Sequence, residues 1–95
     1  MAAVWTVKLA PQAQRQLGKL QTGPRESALD LIDELRHGDF PSETIPLEGH
    51  RNFERVKFYG RSHRMIYRIN HKARTILILR IGKRDAKTYK GFNPA

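Results

Sequence analysis

The chain of 95 residues has no cysteine. That excludes disulfides, a thiolate nucleophile and a cysteine-ligated zinc site, and it suits a reducing compartment. No apolar run approaches the roughly 18 residues of a membrane span, and the opening MAAVWTVKLA lacks the basic region and long apolar stretch of a signal peptide, so a cytoplasmic protein is expected. A glycine-rich phosphate loop and an HExxH pair are both missing, and His37, His50, His63 and His71 have no metal-ligand spacing. No metal and no cofactor are therefore expected. A serine–histidine–acid engine is poorly supported as well, because the second half offers only Glu54 and Asp85 as acids and no serine in a sharp elbow.

That shortage of acids is the first positive clue. Residues 1–50 carry five Lys/Arg against seven Asp/Glu, net −2, whereas residues 51–95 carry thirteen against two, net +11. Such a split suggests a polyanionic partner, either nucleic acid or an acidic protein, since solubility alone needs only a mixed-sign surface. The length allows one core, so residues 1–95 are read as a single domain.

Val4–Leu9 alternates like a short strand. Ala13, Leu17 and Leu20 then follow helical spacing, although Gly18 weakens that helix by about 1 kcal/mol relative to alanine. Pro24 after Gly23 suits the first turn of a second helix, with Ala28, Leu31, Ile32 and Leu35 as its apolar stripe and Gly38 as its stop. After a connection, DFPSETIPLEGHRN, the pattern changes to strands. Val56 and Phe58 alternate with Arg55, Lys57 and Tyr59, GRSH supplies a turn that places His63 in solvent, and Met65, Tyr67 and Ile69 oppose Arg64, Ile66 and Arg68. TILILRI, residues 75–81, reads as a central strand covered on both faces and ended by Gly82. The tail KRDAKTYKGFNPA is short, basic and aromatic, one helical turn at most. The expected fold class is α+β, with an N-terminal strand and a helical hairpin packed on a mainly antiparallel four-stranded sheet. With one face sealed by helices, Arg55, Lys57, Arg64 and Arg68 gather on the other, joined at one end by Lys83 and Arg84.

An all-basic site can still cleave RNA, because the substrate supplies the nucleophile as its own 2′-OH. Arginine forks grip phosphate oxygens, and a lysine crowded by cations has its pKa lowered toward the range of a useful base.

Three elements in this order, the LxG of Leu47, Glu48 and Gly49, the run RVKFYGRSHRMIYRI, and an apolar strand ending in IGKRDAKTY, resemble the RelE branch of the RelE/ParE toxin superfamily over nearly the whole chain. The resemblance implies a RelE-like fold and the toxin of a bacterial type II toxin–antitoxin pair. Its activity would be ribosome-dependent, metal-independent cleavage of A-site mRNA by 2′-OH attack, leaving a 2′,3′-cyclic phosphate. By position, the family's basic pair falls on Arg55 and Lys57, its transition-state arginine on Arg64, its GKR arginine on Arg84 and its tail tyrosine on Tyr89. The first of the pair is often lysine, so Arg55 departs from the pattern and Lys57 becomes the proton acceptor. The loop from Arg84 to Tyr89 is one residue shorter than in some relatives. Arg84 would assist the leaving oxygen and Tyr89 would orient or stack on the base, while Arg55, Arg61, Arg68, Lys83 and Lys87 would hold the mRNA and the ribosome. A RelB-like antitoxin with an acidic toxin-binding segment is the implied partner, in a toxin–antitoxin hetero-oligomer. Two alternatives stay open at this point, a ParE-type inhibitor of DNA gyrase and a non-catalytic RNA-binding homologue.

Overall fold

In the computed structural model, the described residues are 5–40, 45–46 and 52–83. The chain begins with strand β1, Thr6–Leu9, in which Thr6 and Lys8 are exposed while Val7 and Leu9 turn inward. The ladder hydrogen bond from Ala10 N–H to the Ile78 carbonyl, 2.8 Å, carries the chain directly into helix α1, Pro11–Lys19, with Pro11 at its first position. There the missing amide hydrogen has no consequence, because the first amides of a helix have no internal partner.

Helix α2, Thr22–Arg36, follows after a sharp turn and buries the stripe read from the sequence, Ala28, Leu31, Ile32 and Leu35, together with Pro24. Its end is set by Gly38 at φ 81°, a left-handed conformation that glycine adopts at no steric cost. Gly38 N–H then reaches the Leu35 carbonyl at 3.1 Å and Asp39 N–H the Glu34 carbonyl at 2.9 Å, which closes the last turn. No helix of the described residues is long and apolar enough to cross a membrane.

The remaining strands are β2 (Ile45–Pro46), β3 (Phe53–Phe58), β4 (His63–Asn70) and β5 (Thr75–Lys83). They form one mixed sheet in the order β1-β5-β4-β3-β2, with β1 parallel to β5 and the other neighbours antiparallel. The four longer strands and the helical pair make the expected α+β architecture. The two-residue β2 lies within the segment that the sequence pattern assigns to a connection, and it pairs Ile45 with Arg55.

Both helices cover the same sheet face. Val56, Phe58, Met65, Tyr67, Ile69, Ile76, Ile78 and Ile81 meet Ala13, Ala28, Leu31, Ile32 and Leu35 in one core. The last strand differs from its expectation in two ways. It is not covered equally on both faces, since Ile76, Ile78 and Ile81 are buried while Leu77 and Leu79 are half-buried, and it runs through Gly82 to Lys83.

Tyr67 is fully buried in this core, yet among the described residues its hydroxyl has no hydrogen-bond partner, and neither has Oε2 of Glu54 opposite it on β3. Burial pushes the phenol pKa well above its usual value, and the charge of Glu54 adds to the effect. An orphaned buried hydroxyl opposes folding by about 1–3 kcal/mol. Tyr67→Phe is therefore expected to raise stability by about 1 kcal/mol in urea unfolding, and a lower midpoint would mean that the hydroxyl is bonded after all.

Candidate functional site

The sheet face away from the helices is built by strand register. Across β3, β4 and β5 the first row is Lys57, Arg64 and Gly82, and the second is Arg55, Ile66 and Arg80. A third row runs through all four long strands as Phe53, Arg68, Leu77 and Lys8. Among the described residues, six cations thus share one face, with Ile66 and Leu77 between them.

Their environments differ. Arg64 is only 8% exposed, held in the middle of the sheet, whereas Arg55, Lys57 and Arg80 are half-buried and Arg68 and Lys8 are exposed. The Arg68 guanidinium lies 5.9 Å from the centre of the Phe53 ring, at the outer limit of a cation–π contact. Lys57 and Arg64 are direct cross-strand partners. Like charges placed so oppose sheet formation, and an anion bound over them relieves the repulsion.

The expected residues Arg55, Lys57, Arg64 and Arg68 are thus brought together. Arg61 is exposed in the β3–β4 turn at the Lys57 and Arg64 end, where Tyr59, Gly60 and Arg61 have φ of 51°, 64° and 70°. Two contacts fix that turn against α2: Tyr59 N–H donates to Ser27 Oγ at 3.2 Å, and the Tyr59 hydroxyl lies 2.6 Å from where a Cβ on Gly23 would stand. Lys83 is exposed across from His63, at the same end of the sheet but at the alternate position from Arg64. Arg84, Lys87, Tyr89 and the Leu47–Glu48–Gly49 element lie outside the described residues.

One expectation is corrected. His63 is not a solvated turn residue but the buried first residue of β4, 6% exposed and ringed by Phe58 and Tyr59. The Ser62 hydroxyl donates to the Tyr59 carbonyl at 2.7 Å, so at 2.8 Å it accepts from His63 Nδ1–H, which fixes the tautomer. Burial lowers the His63 pKa, and the nearby charge of Lys83 lowers it further. The ring is consequently neutral at pH 7 and adds no charge to the face.

Two cations of the face were not singled out from the sequence, Lys8 and Arg80. Lys8 alternates with Val7 and Leu9, which turns it away from the core, and the parallel pairing of β1 with β5 then sets it beside Leu77. Arg80 stands at the same parity as Ile76 and Ile78, which in a regular strand would aim it into the core. An extra residue, Leu79, separates the pairs Ile66 with Arg80 and Tyr67 with Ile78, and this bulge turns Arg80 to the basic face and Ile81 to the core.

Fold and site together define a small α+β protein with one sheet face sealed by helices and the other cationic. No family model and no curated protein matches the sequence. Solved structures do. The chain is 30% identical to the toxin–antitoxin complex RelBE2 from Mycobacterium tuberculosis, covering 88% of this chain and 94% of that one with a TM-score of 0.59. It is 27% identical to the archaeal RelE–RelB complex from Pyrococcus horikoshii, covering 86% and 97% with a TM-score of 0.69. A mutant of E. coli toxin RelE in the free state shares the fold at a TM-score of 0.74 over 94% and 92% of the chains, with 18% identity. The chain belongs to the RelE/ParE toxin superfamily.

Proposed function

We propose that this toxin is a ribosome-dependent endoribonuclease of a toxin–antitoxin pair that cleaves mRNA in the ribosomal A site. The observation that carries the reading is the register that sets Lys57 directly beside Arg64 on the cationic face, with Arg55 and Arg80 in the next row. In the reaction the substrate's 2′-oxygen attacks the adjacent phosphorus as the bond from phosphorus to the 5′-oxygen breaks. The 2′ proton passes to the neutral amine of Lys57. Arg64, whose burial limits its motion, spreads its fork over the charge that builds on the non-bridging oxygens. Arg84 is assigned to the departing 5′-oxygen, which takes its proton from water, and Tyr89 to the base. The products are a 2′,3′-cyclic phosphate and a 5′-hydroxyl. Arg55, Arg61, Arg68, Lys83 and Lys87 hold the mRNA and ribosomal RNA. The proposed partner is a RelB-like antitoxin with an acidic toxin-binding segment, in keeping with the RelE–RelB complexes among the similar structures, and the proposed location is the cytoplasm.

A cationic site without a conventional acid–base pair depends on its substrate being held in line, so the ribosome supplies part of the geometry. The expected result is cleavage of one transcript when it is programmed into ribosomes and little cleavage when it is free, read by mapping 5′ ends at equal toxin. Similar rates on both would remove the ribosome from the mechanism. Intact mRNA together with inhibited gyrase would replace the reading with a ParE-type one.

A further inference from the structure

We infer that the basic face continues past the reaction centre as a track for the backbone of single-stranded RNA, with Arg80 and Lys8 as its added positioning contacts. The inference rests on the RNA reading above and names how that substrate runs. Successive rows on the face, Lys57 with Arg64, Arg55 with Arg80, and Arg68 with Lys8, are two residues apart along β3 and β4, and on β5 the bulge adds one residue between the second and third. That is about 6.6 Å per row and about 13 Å from Arg64 to Arg68. The row spacing is close to the separation of neighbouring phosphates in an extended strand, so three rows suit three successive phosphates of one chain. Beyond the third row, Arg68, Asn70, Thr75 and Leu77 line a hollow of about 190 Å³. Its amide, hydroxyl and apolar walls suit a sugar or a base edge.

Arg80 is placed there by construction. A bulge in β5 interrupts its ladder with β4, and just past it, beyond the end of β1, Gln16 Oε1 on α1 accepts the Ile81 N–H at 2.8 Å. Bulges commonly re-aim one side chain beside a site. Among the described residues, neither Arg80 nor Lys8 makes an ion pair. A purely structural role for Arg80 would be to cover the fully buried Ile66 with its stem, which methionine would do equally well.

The test is binding of a short 2′-O-methylated, hence uncleavable, oligouridine by fluorescence anisotropy over a range of salt. Each lost phosphate contact should flatten the slope of log affinity against log salt by about 0.7. Arg80→Met and Lys8→Met are each expected to flatten it by that amount and to weaken binding several-fold, with melting temperatures near wild type. Arg80→Lys should restore the slope, and Arg15→Met on α1 should leave it unchanged. The inference is overturned if Arg80→Met or Lys8→Met keeps the wild-type slope, if wild type shows no binding at low salt, or if poly-glutamate of equal charge binds as tightly, which would assign the face to an acidic protein segment. Parallel wild-type assays on programmed ribosomes separate the two readings. Flattened slopes with intact mRNA would retain the track and remove the nuclease, whereas cleavage with unchanged slopes would do the reverse.

Discussion

Arg64→Ala is expected to slow cleavage on programmed ribosomes by about 10²–10³-fold at saturating toxin, the scale of removing one preorganised donor from a transition state. The size follows from position. Arg64 lies on β4 between Lys57 on β3 and Gly82 on β5, is 8% exposed, and so has little freedom to lose when charge develops in front of it. Arg64→Lys keeps the charge but not the planar fork, and should recover only part of the rate. Ribosome affinity should change much less than rate, because one phosphate contact among several is lost. Single-turnover cleavage measured beside affinity, with exposed Arg15→Ala on α1 as control, decides the matter. An unchanged saturated rate with weaker binding would make Arg64 a positioning residue and move the chemistry elsewhere on the face.

Ile78→Ala is expected to destabilise the protein by about 2–5 kcal/mol, the range for removing a large aliphatic side chain from a packed core. Against a total stability of about 5–15 kcal/mol this is a large fraction. Ile78 has no exposed surface, pairs with Leu9 on β1 and Tyr67 on β4, and receives the Ala10 amide that leads into α1. It therefore joins the parallel edge, the central ladder and the first helix just before the bulge that aims Arg80. Urea unfolding measures the loss. A change below 1 kcal/mol would show that the site collapses around the missing atoms.

Much of this was legible in the sequence because the relevant patterns are local. A helix returns to the same face every three or four residues and a strand every two, so Ala28, Leu31, Ile32 and Leu35 had to share a stripe and Met65, Tyr67 and Ile69 a face. The same alternation placed Arg55, Lys57, Arg64 and Arg68 together, and the +11 charge of residues 51–95 identified that face as the one to watch. What alternation cannot supply is the partner ladder. His63 reads as a turn residue until Phe58, Tyr59 and Ser62 close around it. Lys8 becomes part of the face only because β1 joins β5 in parallel, opposite Leu77. Arg80 reads as a core position until one extra residue, Leu79, reverses the parity behind it. The sequence by itself determined the elements, their apolar faces and the sign of the site's charge, since each depends on neighbours a few residues apart. Tertiary structure alone decided which strands adjoin and where the register shifts, because those follow from hydrogen bonds between segments as distant as Gln16 and Ile81.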